Sequence, residues 1–412
     1  MNKSPRLVAL ETLYSIFYDG SYSNIALDKA LSDIKENKAF ISALVYGVTE
    51  RKITLDYFID KYTQGRIKPK VRIVLWLGAY QLLFMDKVPS SASINESVKL
   101  VKEIKQDYYS KLVNAVLHKI DNDRQIPDDL SVKYSVPENL INMWKKQYGE
   151  DVLNEFLPCI NDKPPLFAIP NKKFVNSEEL LYELECDGIL GEAYDEFVLI
   201  ENANDLTDSK AFKNGLFYIE DLSSFNCANA LDALGDDVVL DMCSAPGGKA
   251  FTISQHMNNS GKIYCHDLHE HRLNLIKNGA KRLSIDNIYT DVNDATVYNE
   301  NIPKADKILC DVPCSGFGII RRKPEIRYKD LDSVKDLPQI QYKILETSSR
   351  YLKDGGRIIY STCTLNKKEN ENVVNKFLKD HSEYKLLKDK TVFPSTVGGD
   401  GFYYAIMVKN EN

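Results

Sequence analysis

The stretch Val239-Leu240-Asp241-Met242-Cys243-Ser244-Ala245-Pro246-Gly247-Gly248-Lys249 decides the fold. Its apolar start reads as a strand, its glycine pair as a turn, and the residues from Lys249 onward as the first turns of a helix. Small residues in such a turn let the backbone pass close to a ligand. About twenty residues on, Asp267 ends the next apolar run, where a carboxylate can accept hydrogen bonds from ribose hydroxyls. A dinucleotide fold would show G-x-G-x-x-G and a phosphate loop G-x-x-x-x-G-K-[ST]; Ala245-Pro246-Gly247-Gly248-Lys249-Ala250 satisfies neither. S-adenosylmethionine fits better. It has no phosphate to neutralise, so its site needs close backbone and acidic groups, which Asp267, Asp294 and Asp311 supply. For Asp294 a solvated turn aspartate is the competing reading.

Outward from this loop, strand-like runs at 238–242, 262–267, 287–291, 307–312, 357–362 and 403–408 alternate with helical ones. The alternation predicts an α/β doubly wound, mostly parallel sheet of the Rossmann-like kind, closed by an antiparallel hairpin. Ligands in such sheets bind at the carboxyl ends of the strands. Two thiols fall there: Cys314 in Asp311-Val312-Pro313-Cys314 and Cys363 in Tyr360-Ser361-Thr362-Cys363. A lone cysteine is more often a buried small hydrophobe. Two at neighbouring strand ends beside a cofactor loop point instead to chemistry. C5 of cytosine is too weakly nucleophilic to take a methyl group from a sulfonium, so a thiolate must first add to C6 and create an enamine. Loss of the C5 proton and expulsion of the thiolate then require a base close by, a step that a second cysteine can serve.

From about 5 to 120 apolar residues recur at helical spacing, as in Leu7, Leu10, Tyr14 and Phe17. Breaks at Asp19-Gly20, Gly65, Val88-Pro89 and Gln106-Asp107 predict an all-α bundle with short connections. The polar segment 121–127 marks a boundary. Beyond it a helix at 137–148, a break at Pro164-Pro165 and a strand-helix pair over 166–174 and 177–184 predict a small α+β linker. The expected division is thus 1–125, 126–205 and 206–412.

Composition agrees with a globular chain of 412 residues, 43% hydrophobic and 27% charged, leaving no room for a long low-complexity block. The apolar run 73–85 is interrupted by Gln81 and too short to span a bilayer. After Lys3 and Arg6, the residues Glu11, Tyr14 and Asp19 break any signal-peptide core, so a cytoplasmic location is expected. Eight cysteines lie singly, without a CxxC pair, which argues against disulfides and a metal. A net charge of -6 disfavours bulk electrostatic binding of nucleic acid. Two local basic patches exist, Arg66, Lys68, Lys70 and Arg72, and Arg321, Arg322, Lys323, Arg327 and Lys329; each is open to a solvated-face reading.

In the first domain the segments Leu44-Val45-Tyr46-Gly47-Val48, Leu77-Gly78-Ala79-Tyr80-Gln81-Leu82-Leu83, 92–101 and Val113-Asn114-Ala115-Val116-Leu117 resemble NusB. In the second half the resemblance runs through 241–249, 311–316, Ile320-Arg321-Arg322-Lys323-Pro324-Glu325-Ile326-Arg327, 360–363 and Asp400-Gly401-Phe402-Tyr403-Tyr404-Ala405. Together these resemble the RsmB (Sun/Fmu) family of ribosomal RNA small subunit methyltransferases, and the Arg321-Arg322 run points to that branch rather than to transfer-RNA enzymes. The resemblance implies methylation at C5 of a cytosine in 16S ribosomal RNA, with the base flipped from a hairpin loop and the 321–329 segment tracking nearby phosphates. It implies that Cys243, Ser244, Ala245, Pro246, Gly247, Gly248 and Lys249 line the cofactor, that Asp267 binds ribose and Asp294 adenine, and that Asp311 sits between cofactor and base. Cys363 matches the nucleophile, Cys314 the cysteine assisting release, and Lys249 helps to position the reacting groups. A monomer is expected. Glu220, Ile169 and Glu50 depart from the family pattern and are expected to bear on RNA contacts rather than chemistry. The alternatives are a transfer-RNA cytosine-C5 methyltransferase, or an RNA-binding module without methyl transfer, which the intact Cys363, Cys314 and Asp311 oppose.

Overall fold

Ser4 opens the first helix by accepting a hydrogen bond from the Leu7 backbone, and Pro5 takes the first helical position, where its missing N–H costs nothing. The structure, a computed structural model, describes residues 3–202, 206–394 and 398–411. Helices α1 (Pro5–Tyr18), α2 (Ser23–Leu31), α3 (Lys38–Tyr62), α4 (Pro69–Phe84), α5 (Ser90–Glu103) and α6 (Ser110–Asn122) break at the four turns the sequence predicts and at one more, between α2 and α3, that it does not. Short helices α7 (Leu130–Tyr134), α8 (Glu138–Tyr148) and α9 (Glu150–Phe156) come next. α4 is apolar on every side: Val71, Val74, Leu75, Trp76 and Leu77 are all at most 1% exposed, as a central bundle helix requires. No helix among the described residues is long and apolar enough to cross a membrane.

The chain divides into two compact units, Met1–Asp162 with Ile320–Leu331, and Lys163–Ile319 with Asp332–Asn412. The first break therefore comes after α9 rather than near 125, and the expected boundary at 205 lies outside the described residues. Residues 320–331 belong to the helical unit, and burial takes Arg321 and Arg327 out of the expected phosphate track, while Arg322, Lys323 and Lys329 are half-buried. Arg327 is 1% exposed and Arg321 7%. The Arg327 guanidinium donates to the carbonyls of Glu50 and Ser135 and to Asn161 Oδ1, at 2.9, 3.2 and 2.9 Å. Glu325 accepts from the Ser23 amide and hydroxyl, and Tyr328 donates to Thr49 O. These groups are consumed by packing. In the other basic patch Arg72 is spent on Asp56 and Asp60, while Arg66, Lys68 and Lys70 are exposed.

The second unit opens with a small antiparallel sheet of order β2-β3-β1-β4: β1 (Leu166–Pro170), β2 (Gly191–Ala193), β3 (Val198–Ile200) and β4 (Phe217–Ile219). Helices α10 (Ser177–Cys186), α11 (Lys210–Lys213) and α12 (Leu222–Asn229) accompany it. The main sheet is built from β5 (Val238–Asp241), α13 (Gly248–His256), β6 (Lys262–Asp267), α14 (Glu270–Arg282), β7 (Ile288–Val292), β8 (Ala305–Asp311), α15 (Leu337–Ser349), β9 (Leu352–Thr362), α16 (Glu371–Asp380), β10 (Tyr384–Val392) and β11 (Phe402–Lys409). Its order is β10-β11-β9-β8-β5-β6-β7, parallel from β9 to β7 and antiparallel at β9-β11-β10. This is the expected doubly wound sheet with its closing hairpin.

Both faces of the parallel strands are covered. Val239, Ile263, Leu309 and Ile359 pack with Phe251, Leu273 and Ile276 on one side; Leu240, Ile308, Ile358 and Tyr360 pack with Ile344, Val373 and Phe377 on the other. That double burial explains the near-continuous apolar runs. The strand order reverses between β8 and β5, so a crevice opens at the carboxyl ends of those two strands.

Candidate active site

At the end of β5 the chain turns through the cis Ala245–Pro246 bond into α13, capped by Gly247 at φ +111°. Only glycine suits this position: the conformation is left-handed, and a Cβ would lie 3.0 Å from Phe251 Cζ and 3.2 Å from Ile276 Cγ1. Ser244 pins the turn to β6, its amide and hydroxyl both donating to His266 O at 2.9 Å. Arg272 of α14 donates to Ala245 O at 2.9 Å and pairs with Asp267 at 3.0 Å, so one guanidinium holds the loop and the carboxylate that ends β6.

The turn walls a cavity of about 390 Å³, whose other lining includes Tyr218, Glu220, Asp241, Lys249 and Asp311. Cys243, Ser244, Ala245, Pro246 and Gly248 also line it, while Gly247 caps the helix beside it. Asp267 and Asp294 are not among its lining residues. Asp267 lies buried behind Arg272; Asp294 is exposed and accepts from the Thr296 amide and hydroxyl in a local turn.

The cavity is acidic around Lys249, with Arg282 also in its wall. Asp241 is fully buried, and no side chain among the described residues donates to its carboxylate. Burial, then the charge of Asp311, pushes it up to about 8 against the pull of Lys249 and, more weakly, the Cys243 backbone. Burial likewise raises Glu220 to about 7 against the pull of Lys249. Glu220 accepts from Thr252 Oγ1 at 2.6 Å, and the Tyr218 hydroxyl stands 2.8 Å from the same oxygen. Lys249 Nζ meets Asp311 Oδ2 at 2.8 Å. Burial works to lower the Lys249 pKa, but Asp311 and Glu220 outweigh it and hold the ammonium above its ordinary value. Ser361 Oγ donates to the second Asp311 oxygen at 2.8 Å, which fixes that carboxylate at both ends.

β8 and β9 are adjacent and parallel, with Asp311 opposite Ser361. Three residues beyond Asp311 and two beyond Ser361 stand the thiols, and the structure brings Cys314 Sγ and Cys363 Sγ to 3.3 Å. The hydrogen bond to Cys363, then burial, lifts Cys314 well above an ordinary thiol. The backbone beside them has no slack. Gly318 N donates to Cys363 O at 3.1 Å, Gly401 N donates to Gly318 O at 2.9 Å, and a Cβ on Gly318 would stand 1.9 Å from Gly401 O.

Sequence reasoning assigns no role to Asp241, although an acid closing the run Val238-Val239-Leu240 signals a group aimed off the strand end. Ser361 and Arg272 are missed as well, since neither residue type is distinctive in a single sequence. Of the three departures, Ile169 is buried in β1, Glu50 belongs to α3, and Glu220 lines the cavity itself, so its substitution bears on the site and not on remote contacts alone.

Comparison with known proteins agrees with this fold. The family model described as 16S rRNA methyltransferase RsmB/F matches residues 228–408, and that of the NusB family matches 3–122. The probable ribosomal RNA small subunit methyltransferase B of Bacillus subtilis (strain 168) is 33% identical, covering 98% of this chain and 99% of its own length. A protein of the same description from Synechocystis sp. is 30% identical over 93% of this chain and 90% of its own. The crystal structure of PH0851, 27% identical, superposes with a TM-score of 0.82 over 99% of this chain and 100% of its own. NSun6 from Pyrococcus horikoshii, 21% identical with a TM-score of 0.61 over 67% of this chain and 99% of its own, shares the fold. With a NusB-family domain ahead of its methyltransferase fold, the chain belongs to the RsmB family of ribosomal RNA small subunit methyltransferases.

Proposed function

We propose that the protein methylates C5 of a cytosine in 16S ribosomal RNA, with Cys363 bonding covalently to C6. The observation that carries this reading is the 3.3 Å thiol pair at the ends of two adjacent parallel strands, beside an acidic cavity. The residues present suit S-adenosylmethionine. The buried Asp241 carboxyl, which no side chain among the described residues meets, lines a cavity that also holds Glu220 and Asp311, and this acidic wall favours a cationic, phosphate-free ligand. When bound, this cofactor supplies an electrophilic methyl group. Cys243 to Lys249 and Asp311 would hold it, with Asp267 at the ribose and Asp294 at the adenine.

The chain's own residues would do the rest. Cys363 as thiolate adds to C6, pushing electron density to C5, which takes the methyl group. The C5 proton then leaves to a base, the C6–S bond breaks, and the sulfur leaves with the electron pair. Cys314, 3.3 Å away, is the group placed to give a proton to the departing Cys363 sulfur. Lys249 and Ser361 fix Asp311 between the cavity and the thiols. A base in an RNA loop has little stacking to lose on flipping into such a site. The reading needs no metal, and we take the enzyme to work as a cytoplasmic monomer.

The test is to incubate Cys314→Ala and Cys363→Ala proteins with 16S ribosomal RNA and S-adenosylmethionine and run both on a denaturing gel. The expected result is a protein–RNA adduct with Cys314→Ala and none with Cys363→Ala. Absence of an adduct from both, with no methyl incorporation by wild type on free or ribosomal-particle RNA, would refute the reading; incorporation into transfer RNA instead would reassign the substrate.

A further inference from the structure

Behind the thiol pair lies a carboxylate that the proposed reaction does not use. Glu369 is completely buried, yet among the described residues no lysine or arginine pairs with it; four neutral donors meet it instead. Its Oε2 accepts from the Ser315 amide and from Gln341 Nε2, both at 2.9 Å. Its Oε1 accepts from the Ser315 hydroxyl at 2.6 Å and from Asn366 Nδ2 at 2.9 Å. Gln341 also donates to Pro313 O at 3.0 Å, so the residues on both sides of Cys314 hang on this one network. Thr364, next to Cys363, closes it: its hydroxyl stands 2.6 Å from Ser315 Oγ and accepts from the Phe317 amide at 3.1 Å.

Burying a charge is costly, and a neutral glutamine could have made several of these bonds. A charge retained at that cost, and bonded to the residue next to Cys314, acts on the thiol. We infer that Glu369 is a positioning residue for the pair: its carboxylate ties the Cys314 loop to the segment after Cys363, and its charge keeps the shared proton on Cys314. The groups facing Cys314 are Cys363, Glu369, Asp311 of β8 and the buried Tyr360 of β9, whose hydroxyl donates to Glu369 O. None is a cation, and each anion among them disfavours a Cys314 thiolate, as the raised pKa of that thiol reflects. This inference rests on the assignment of Cys363 as nucleophile, since a proton confined to Cys314 leaves Cys363 free to attack.

Alkylation by iodoacetamide, followed by peptide mass spectrometry across pH, reads both sulfurs directly. Exposed Cys186 is an internal standard. In wild type, Cys314 should label at higher pH than Cys186; coincident profiles overturn the inference whether or not any variant folds. In Glu369→Gln, with Asn366 turned to meet the new amide, the Cys314 profile should move down by about one pH unit. Below the midpoint its labelling should then rise roughly threefold, because lost nucleophilicity offsets part of the gain in thiolate. Ser315→Ala removes the hydroxyl's bonds to Glu369 and Thr364 but no charge and should leave the profile in place. An unmoved profile in folded Glu369→Gln, or an equal shift in Ser315→Ala, overturns the role of Glu369 even if RNA is methylated normally. The expected shift in a protein that never methylates RNA upholds the proton assignment and overturns only the reaction.

Discussion

Replacing Glu220 with glutamine removes a titration that the fold must bear. Wild-type Glu220 has its pKa raised from an ordinary 4.5 to about 7 by burial. Between these values the native state keeps a proton that the unfolded chain has lost, so native stability falls as pH rises. The contribution of the neutral acid is complete below about 4.5, declines through the window, and is gone once pH passes about 7. With 1.36 kcal/mol per unit, the accumulated penalty is about 1.4 kcal/mol near pH 5.5 and about 3.4 kcal/mol near pH 8.5. Glutamine keeps an acceptor for Thr252 Oγ1 and has no such penalty. The variant should therefore gain roughly 2 kcal/mol on wild type between those two pH values. Asp241, raised in the same direction, is present in both proteins and cancels to first order.

The probe must report the sheet unit alone, and the chain provides one. Cys227, Cys265 and Cys310 are fully buried there, whereas both tryptophans, Trp76 and Trp144, lie in the helical unit. Urea titrations with pulse labelling by an aromatic disulfide reagent that reacts at acid pH would give the midpoint for the sheet unit. A stability difference between the two proteins that is flat from about pH 5.5 to 8.5 would refute the claim that burial holds Glu220 neutral.

Three further substitutions have outcomes set by the same geometry. Lys249→Met leaves Asp311, Glu220 and Asp241 around a cavity without its central cation; loss of roughly 2 kcal/mol in the urea midpoint is expected, discounted for the partial exposure of the pair, with weaker S-adenosylmethionine binding by calorimetry. Gly318→Ala drives a methyl group into Gly401 O and should cost about 1–3 kcal/mol; by moving the backbone of Cys363 it should also slow methyl transfer at least about tenfold in a filter assay. Arg327→Met strips Glu50 O, Ser135 O and Asn161 of a buried donor and should destabilise the helical unit by about 3 kcal/mol, read from Trp76 and Trp144 fluorescence in urea.

The parallel strands were legible because burial on both faces makes them unbroken apolar runs, and the loop at 241–249 because turn chemistry is local. β10 was not: Lys385, Lys388, Asp389 and Lys390 fill it with charge, which suits an edge strand but hides its period. The small sheet was only half visible, since β2, β3 and β4 are three residues each, too short to show alternation. At the site, Cys314 and Cys363 could be paired in advance because adjacent parallel strands align their ends. Glu369 could not, because its partners lie up to 54 residues away. Nor could the burial of Arg327, whose acceptors in Glu50 and Ser135 are 277 and 192 residues distant; by type alone it reads as a surface cation.

The loan of residues 320–331 to the helical unit also sets a timetable. A ribosome makes the first 162 residues well before it reaches Leu331, and at 5–20 residues per second the gap is roughly 10–30 s. Throughout that interval the carbonyls of Glu50 and Ser135 lack the guanidinium that satisfies them. The nascent bundle waits, incomplete, for a piece of chain that emerges only after β8 has been synthesised. The first domain to be begun is thus finished only when most of the second has been made, and its completion reports that the strand leading to Cys314 already exists.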